Sequence, residues 1–275
     1  MSGVLPEGAC DAHCHVFGPQ PRFAFAPGRS YTPADAPKEA LAALHARLGI
    51  DRAVIVQAAA HGFDNSATLD AIAAAPARRR GIALVPEDVA AGTLQSLHAG
   101  GMRGVRFNFV PHLGAPPTSA GFRRIAALIA PLGWHVVVHV AAAGLPLLET
   151  YLDGLALPLV IDHMARIAAD ADISQPAFRR LLALSQDPRI WVKLSGADRS
   201  SAAGAPYADA LPFLQALIGR APDRVLWGTD WPHPNIKGPM PHEEDLLALL
   251  RLAAADTARL RQILVDNPNR LYRFA

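Results

Sequence analysis

The sequence lacks the features that identify several classes of protein. Its two cysteines, Cys10 and Cys14, are too few for a disulfide scaffold and favour a reducing compartment. The 26 basic and 24 acidic residues give a net charge of only +2, without the basic excess of nucleic-acid-binding domains. Aromatic residues make up 7% and do not alternate with basic ones, as they do in single-strand binders. We therefore predict no nucleic-acid partner.

Long hydrophobic runs are also missing. No segment of 18 uncharged apolar residues exists, so the sequence predicts no membrane span. The first residues have neither the basic nor the apolar region of a secretory signal. We expect a soluble, cytoplasmic protein with no membrane partner, and the sequence leaves open whether it forms a homo-oligomer.

The sequence does contain regularly spaced apolar segments of strand length, and helical patterns lie between them. Most are continuously apolar, which is typical of parallel strands covered on both faces. A doubly wound open sheet that binds a dinucleotide has a glycine-rich, phosphate-binding turn after its first strand, and the sequence has none there. We therefore predict one distorted (β/α)8 barrel domain over residues 1–275, with its active site at the carboxyl ends of the strands. The predicted strands span 8–15, 52–58, 80–85, 104–110, 135–140, 158–164, 190–196 and 224–230.

Polar side chains end most of these strands, and in a barrel they would meet at one rim. His13 and His15 end the first strand and, as residues i and i+2, project to the same side. Two histidines in a turn, bonded only to backbone, are the alternative for this pair alone. A functional site is favoured because other polar side chains are predicted at the same rim. They are Arg106, Asn108, His139, Asp162, His163, Ser195, Arg199 and Asp230.

Three blocks carry a resemblance to a known family. The blocks are DAHCHVFGP near the start, IDHM in the middle and WGTDWPHPN near the end. With them the chain resembles the amidohydrolase superfamily. Through GMRGVRFNFV and VKLSGADR it resembles more closely the branch of 2-pyrone-4,6-dicarboxylate lactonases and related sugar-lactone and sulfomuconolactone hydrolases. The resemblance implies a (β/α)8 barrel that cleaves or isomerises lactones.

The resemblance also implies roles for individual residues. His13 and His15 match the pair on the first strand, His163 the histidine that helps to polarise the carbonyl, and Asp230 the general base towards water. We expect these four to be catalytic. The residues expected to bind the anionic groups of the substrate are Arg106, Arg199, Tyr31, Asn108 and His112, the last standing where the branch has a second arginine.

The chain departs from the branch at His139. The pyrone dicarboxylate lactonases carry a tyrosine there and work without metal, whereas metal-dependent members of the superfamily carry a histidine ligand on this strand. His13, His15, His139 and Asp230 are therefore expected to bind a divalent cation, Zn²⁺ or Mn²⁺, and no organic cofactor is expected. The alternative is that His139 replaces the tyrosine as a hydrogen-bond donor to substrate.

The prediction for function is hydrolysis of a small anionic lactone of the dicarboxylate or sugar-acid type, by attack of water on the carbonyl. One alternative is a metal-dependent decarboxylase of an aromatic or enoic acid, because those barrels share the histidine and aspartate ligands. The other is an anion-binding barrel without turnover.

The sequence also predicts the positions or roles of four further residues. Arg166 is a candidate anion ligand, and His135 is expected to be structural, at the bottom of the barrel. His45 is expected on the solvated surface, and Asp11 on the same side of the first strand as His13.

Overall fold

A computed structural model describes residues 4–236 and 238–274 of the chain. Eight parallel strands form one sheet in sequential order, each paired with its neighbours along the chain. This confirms the predicted barrel, although the last strand is much shorter than the apolar run that predicted it. The strands are β1 Cys10–Cys14, β2 Arg52–Val56, β3 Arg79–Ala83, β4 Met102–Asn108, β5 His135–His139, β6 Leu159–Ile161, β7 Ile190–Lys193 and β8 Val225–Leu226.

Helices follow the strands and surround the barrel. The chain forms α1 Lys38–Leu48, α2 Ser66–Ala73, α3 Ala91–Ala99, α4 Ser119–Ile129, α5 Leu145–Leu152, α6 Pro176–Leu184, α7 Ala197–Ser200, α8 Leu211–Arg220, α9 Glu243–Ala254, α10 Thr257–Arg261 and α11 Asn267–Tyr272. Local sequence fixes several of their ends. The Thr118 hydroxyl accepts a hydrogen bond from the Gly121 amide and caps α4, and Gly49, at φ 74°, ends α1. None of the described helices is long and apolar enough to cross a membrane.

Alternation along the strands divides the apolar core into two parts. Val136 and Val138 of β5 belong to the larger part, between the strands and the helices, whereas Val137 belongs to the part inside the barrel. The inner part also contains Tyr272 of α11, which packs against the His135 ring with 5.2 Å between the ring centres. His135 is therefore in the apolar interior, as its structural role predicts. The carboxyl ends of the strands remain for polar side chains.

The first strand is irregular where it reaches the site. Its register with β2 shifts between Asp11 and Cys14, which is a β-bulge. Ala12 packs in the inner core while Cys14 packs in the outer one, and His13 also faces inward, so two successive side chains share a side. The expectation that Asp11 and His13 share a side is therefore wrong. Asp11 instead faces α1, where its carboxylate lies 3.2 Å from His45 Nε2.

Barrel closure uses the chain beyond β8. The Ala12 amide donates to the Trp227 carbonyl, and the Asp230 amide donates to the His13 carbonyl, each at 2.8 Å. A third bond joins the His15 amide to the Trp231 carbonyl at 2.8 Å. These bonds hold the segment after β8 against β1, which brings Asp230 beside the His13–His15 pair.

Candidate active site

A cavity of about 560 Å³ opens at the carboxyl ends of the strands. Of the ten residues predicted for the site, His13 is fully buried beneath the cavity and Asn108 lies outside its lining. The other eight line it: His15, Tyr31, Arg106, His112, His139, His163, Arg199 and Asp230. Arg166 lines it too, as its expected role requires.

Asp230 occupies the centre of this site. Its backbone is left-handed, with φ 62°, a conformation that costs a non-glycine residue free energy and is often found at functional sites. Oδ2 accepts hydrogen bonds from Arg199 Nε at 2.8 Å and contacts Nη2 at 2.7 Å. Burial alone would raise the pKa of Asp230, but the Arg199 charge, together with His163, His15 and His13, holds the pKa well below its usual range. Asp230 is therefore an anion at neutral pH.

Three imidazole nitrogens surround the second oxygen of Asp230. Oδ1 lies 3.3 Å from His15 Nε2, 3.6 Å from His13 Nε2 and 3.8 Å from His163 Nε2. Of the predicted catalytic residues, the structure thus brings all four together. Their catalytic roles stay a prediction.

His163 reaches this cluster from an unusual turn. Four successive residues, 163–166, have left-handed backbones with φ between 49° and 55°. Gly196 makes room for the imidazole, because a Cβ on this glycine would lie 2.8 Å from His163 Cβ. Burial lowers the pKa of His163 to about 4, so the ring is neutral at physiological pH. The Ser195 hydroxyl lies 2.9 Å from its Nδ1.

A second buried carboxylate, Asp162, lies deeper in the barrel. Oδ2 accepts a hydrogen bond from Arg106 Nε at 2.8 Å, and Oδ1 is 3.1 Å from Lys193 Nζ. Burial would raise the pKa of Asp162, but Lys193, His13 and Arg106 together hold it well below its usual range. Sequence reasoning assigned no role to Asp162 or Lys193. Each is a charged residue in an otherwise apolar strand segment. This exception to the pattern was the signal that could have indicated a role for them.

Both arginines predicted to bind substrate anions are thus already paired with aspartates. Arg199 holds Asp230, and Arg106 holds Asp162 through Nε alone. Arg106 still lines the cavity together with Arg166, Tyr31 and His112. Burial raises the pKa of the Tyr31 phenol, which keeps its hydroxyl protonated. The cavity lining therefore combines cationic and hydrogen-bonding groups with the Asp230 cluster.

Among the described residues, three groups have ligand atoms within 4.8 Å of one another, close enough to hold one cation, and two of these groups lie at the candidate site. The first contains His13, His15 and Asp230, three of the four predicted metal ligands. His139 belongs to neither group; its ring lies 5.6 Å from that of His163 and 6.4 Å from that of His112. The four-residue ligand set stays a prediction, because the structure assembles only three of its members.

The hydrogen bonds around these three residues decide how well they fit a cation. His15 fits, since its Nδ1 donates to the Val56 carbonyl at 2.7 Å and leaves a lone pair on Nε2. His13 does not, because the Lys193 amine lies 3.0 Å from its Nδ1, where a metal-bound histidine would need an acceptor. In this arrangement the donor set does not fit a divalent cation.

The structure corrects the expectation for one further side chain and adds another residue to the site. The expectation that His45 is a solvated surface residue is wrong, because its side chain is buried against Asp11. Asp198 was not predicted; it lines the cavity beside Arg199, and neither of its oxygens accepts a hydrogen bond from a described residue. Burial, with the nearby charge of Asp230, raises the pKa of Asp198.

Comparisons with known proteins agree with this geometry. A family model described as "Amidohydrolase" matches residues 10–274. The chain is 44% identical to a 2-pyrone-4,6-dicarboxylate hydrolase of Comamonas testosteroni, over 98% of this chain and 91% of the relative. It is 43% identical to a 4-sulfomuconolactone hydrolase of Rhizobium radiobacter, over 99% and 92%. A crystal structure from Pseudomonas putida, assigned as a 2-pyrone-4,6-dicarboxylic acid hydrolase, superposes with a TM-score of 0.87 at 31% identity, over 98% and 99%.

Proposed function

The chain belongs to the amidohydrolase family, and on that premise we propose that it hydrolyses a small anionic lactone by attack of water on the ring carbonyl. The observation that carries the proposal is the state of Asp230. It is an ionised carboxylate with one oxygen held by Arg199 and the other beside three imidazoles at the cavity. A carboxylate held in this way can accept a proton from water without changing its position.

In the proposed reaction, Asp230 Oδ1 takes a proton from water as the water oxygen bonds to the carbonyl carbon. The carbonyl electrons move to the oxygen and form a tetrahedral intermediate. Collapse of the intermediate breaks the bond between the carbonyl carbon and the ring oxygen, which receives a proton from Asp230. The new carboxylic acid ionises at neutral pH, so one proton is released per turnover.

His163 is suited to stabilise the developing oxyanion. If the Ser195 hydroxyl donates to Nδ1, the single hydrogen of the neutral ring is on Nε2. This nitrogen is the one near Asp230 Oδ1, at 3.8 Å. A preorganised donor at this position contributes most where charge develops in the transition state.

Other residues of the cavity lining would recognise the anionic groups of the substrate. Arg106 and Arg166 have guanidinium groups that match the planar geometry of a carboxylate or sulfonate, and Tyr31 and His112 add hydrogen-bonding groups. The substrate class that fits is therefore a lactone carrying one or two further anionic groups.

The Zn²⁺ or Mn²⁺ ion expected from the sequence has no step in this mechanism. The reason is the misfit at His13, together with the position of His139 outside the ligand group. General-base catalysis alone contributes about 10²–10⁴ in rate, which can suffice for an activated ester such as a lactone.

The test is a proton-release assay with 2-pyrone-4,6-dicarboxylate, 4-sulfomuconolactone, sugar-acid lactones and neutral lactones. We expect stoichiometric acid release with an anionic lactone, and release at a rate lower by about 10²–10⁴ with Asp230→Asn. Isomerisation would change the ring without releasing acid, and decarboxylation would release CO2. Binding of these lactones without turnover of any of them would contradict the proposal and support the anion-binding alternative.

A further inference from the structure

The two histidines of the His13–His15 pair have opposite partners on their outer nitrogens. His15 Nδ1 lies 2.7 Å from the Val56 carbonyl, which only accepts hydrogen bonds. His13 Nδ1 lies 3.0 Å from Lys193 Nζ, and an ammonium group only donates them. His15 therefore carries its hydrogen on Nδ1, whereas the ammonium group of Lys193 is best paired by a His13 that accepts at Nδ1.

These assignments fix the direction of the contact between the rings. A neutral His13 that accepts at Nδ1 has its hydrogen on Nε2, and His15 has a free lone pair on its own Nε2. The two Nε2 atoms are 3.3 Å apart, so His13 donates to His15. Hydrogen bonds thus run in one direction from Lys193 through both rings to the Val56 carbonyl.

The separation of the two Nε2 atoms does not by itself decide between this chain and a metal site. Two nitrogens at about 2.1 Å from a tetrahedral zinc ion are about 3.4 Å apart, close to the value seen here. What differs between the two cases is His13 Nδ1. A metal-bound His13 would need a hydrogen on that atom and an acceptor for it.

An acceptor for that hydrogen is already present, but it is paired with Lys193. Asp162 Oδ1 lies 3.3 Å from His13 Nδ1, within reach of a hydrogen on that nitrogen. The Lys193 amine lies 3.1 Å from the same oxygen and 3.0 Å from His13 Nδ1, so it contacts both groups and competes with His13 for the carboxylate. Both Lys193 and Asp162 are fully buried, so water does not compete for these contacts.

We propose that Lys193 is a positioning residue that sets the tautomer of His13, and that it thereby keeps a latent divalent-cation site at His13, His15 and Asp230 closed. With the amine removed, Asp162 becomes the acceptor for His13 Nδ1. Both Nε2 lone pairs then face Asp230 Oδ1, which lies 3.3 and 3.6 Å from these nitrogens. Two nitrogens and one oxygen make a ligand set that suits Zn²⁺.

The variant that tests this is Lys193→Met, which keeps the length and the apolar stem of the side chain but removes the amine. Asp162 keeps Arg106 as its counter-ion at 2.8 Å in this variant, so no buried carboxylate is left without a cation. The matched control is Lys38→Met, which removes a lysine paired with Asp70 at 2.7 Å, far from the cavity. It makes the same change in charge.

The first measurement is the tautomer of His13 by ¹⁵N NMR of histidine-labelled protein without metal. We expect the hydrogen on Nε2 in the wild type and in Lys38→Met, and on Nδ1 in Lys193→Met. A wild-type His13 with its hydrogen on Nδ1 overturns the proposal, and this result needs no variant to fold.

The second measurement is a titration with Zn²⁺ alone, followed by calorimetry. Lys193→Met should bind one equivalent about 10–100-fold more tightly than the wild type, the range by which partners of metal ligands change affinity. The gain should disappear in Lys193→Met/His15→Gln. Equal zinc affinity in the wild type and Lys193→Met overturns the proposal.

Neither measurement uses a substrate, and the inference does not rest on the proposed function. If the protein opens no lactone, the lactonase proposal fails while the tautomer and zinc results still decide this one.

Discussion

Two buried carboxylates in this barrel are held in almost the same way and yet face different surroundings. Asp162 and Asp230 each accept a hydrogen bond at 2.8 Å from the Nε atom of an arginine, Arg106 or Arg199. Both have a pKa well below the usual range for the same reason, since nearby cations outweigh the effect of burial. Asp162 has Lys193 on its other oxygen, whereas Asp230 has three imidazoles and the cavity.

The comparison shows that an arginine partner alone does not indicate whether an aspartate is catalytic. We propose that the oxygen not held by arginine makes the difference: Asp162 Oδ1 is paired with Lys193, whereas Asp230 Oδ1 lies beside three imidazoles and belongs to a residue that lines the cavity. We therefore expect loss of Asp162 to affect mainly folding, and loss of Asp230 to affect mainly turnover. The predictions below test this division.

The largest effect is expected for Asp230→Asn. An amide of the same shape can still accept from Arg199 but cannot take a proton from water, so kcat should fall by about 10²–10⁴. The measurement is acid release at saturating lactone, with urea unfolding of the same sample as the control for the fold. Turnover close to that of the wild type would remove Asp230 from the role of base.

Asp162→Asn should act on stability instead. It leaves the buried ammonium of Lys193 without its carboxylate, and breaking a buried ion pair in this way costs about 3–5 kcal/mol. The measurement is the free energy of unfolding in urea, beside Asp70→Asn, which breaks surface pairs with Arg22 and Lys38. If Asp162→Asn unfolds at the same urea concentration as the wild type, the division between the two carboxylates is wrong.

The sequence predicted the fold well because continuous apolar runs alternate with helical patterns over the whole chain. It could not predict the bulge in β1, since the register shift between Asp11 and Cys14 depends on pairing with β2. For that reason alternation placed His13 and His15 correctly but placed Asp11 on the wrong side. The burial of His45 could not be predicted from its helical pattern either, because it depends on the contact with Asp11.

The site was predictable in its members but not in their pairing. Strand ends indicated Arg106, His163, Arg199 and Asp230, because each follows or ends an apolar run. The pairing depends on the directions of side chains that are far apart in sequence. Arg199 and Asp230 are 31 residues apart, and Arg106 and Asp162 are 56 residues apart. Sequence periodicity carries no information on such contacts. Arg199 was therefore expected to bind the substrate and not to pair with Asp230.

A pH profile sharpens the comparison further. The charge of Arg199 lowers the pKa of Asp230, so Arg199→Met should raise it, and the carboxyl group should stay protonated and inactive up to a higher pH. We expect the acidic limb of kcat/KM to move up by about 1–3 pH units, the usual effect of an opposite charge at this distance. Arg22→Met, which removes an exposed partner of Asp70, is the control and should leave the limb unchanged. If the acidic limb of kcat/KM in Arg199→Met stays at the wild-type pH, Arg199 does not set the pKa of Asp230.

The smallest effect is expected for Arg166, which lines the cavity but belongs to neither of the two carboxylate pairs. Arg166→Met should raise KM for a dianionic lactone by about 10-fold and change kcat little, because a lost carboxylate contact weakens the ground state and the transition state alike. The measurement is steady-state acid release with a dianionic lactone and with a neutral one. Arg180→Met serves as the control, since it removes a surface arginine that pairs with Glu149 at 3.3 Å. Equal turnover of neutral and dianionic lactones, unaffected by Arg166→Met, would contradict the assignment of an anionic substrate and would leave the comparison of Asp162 with Asp230 intact.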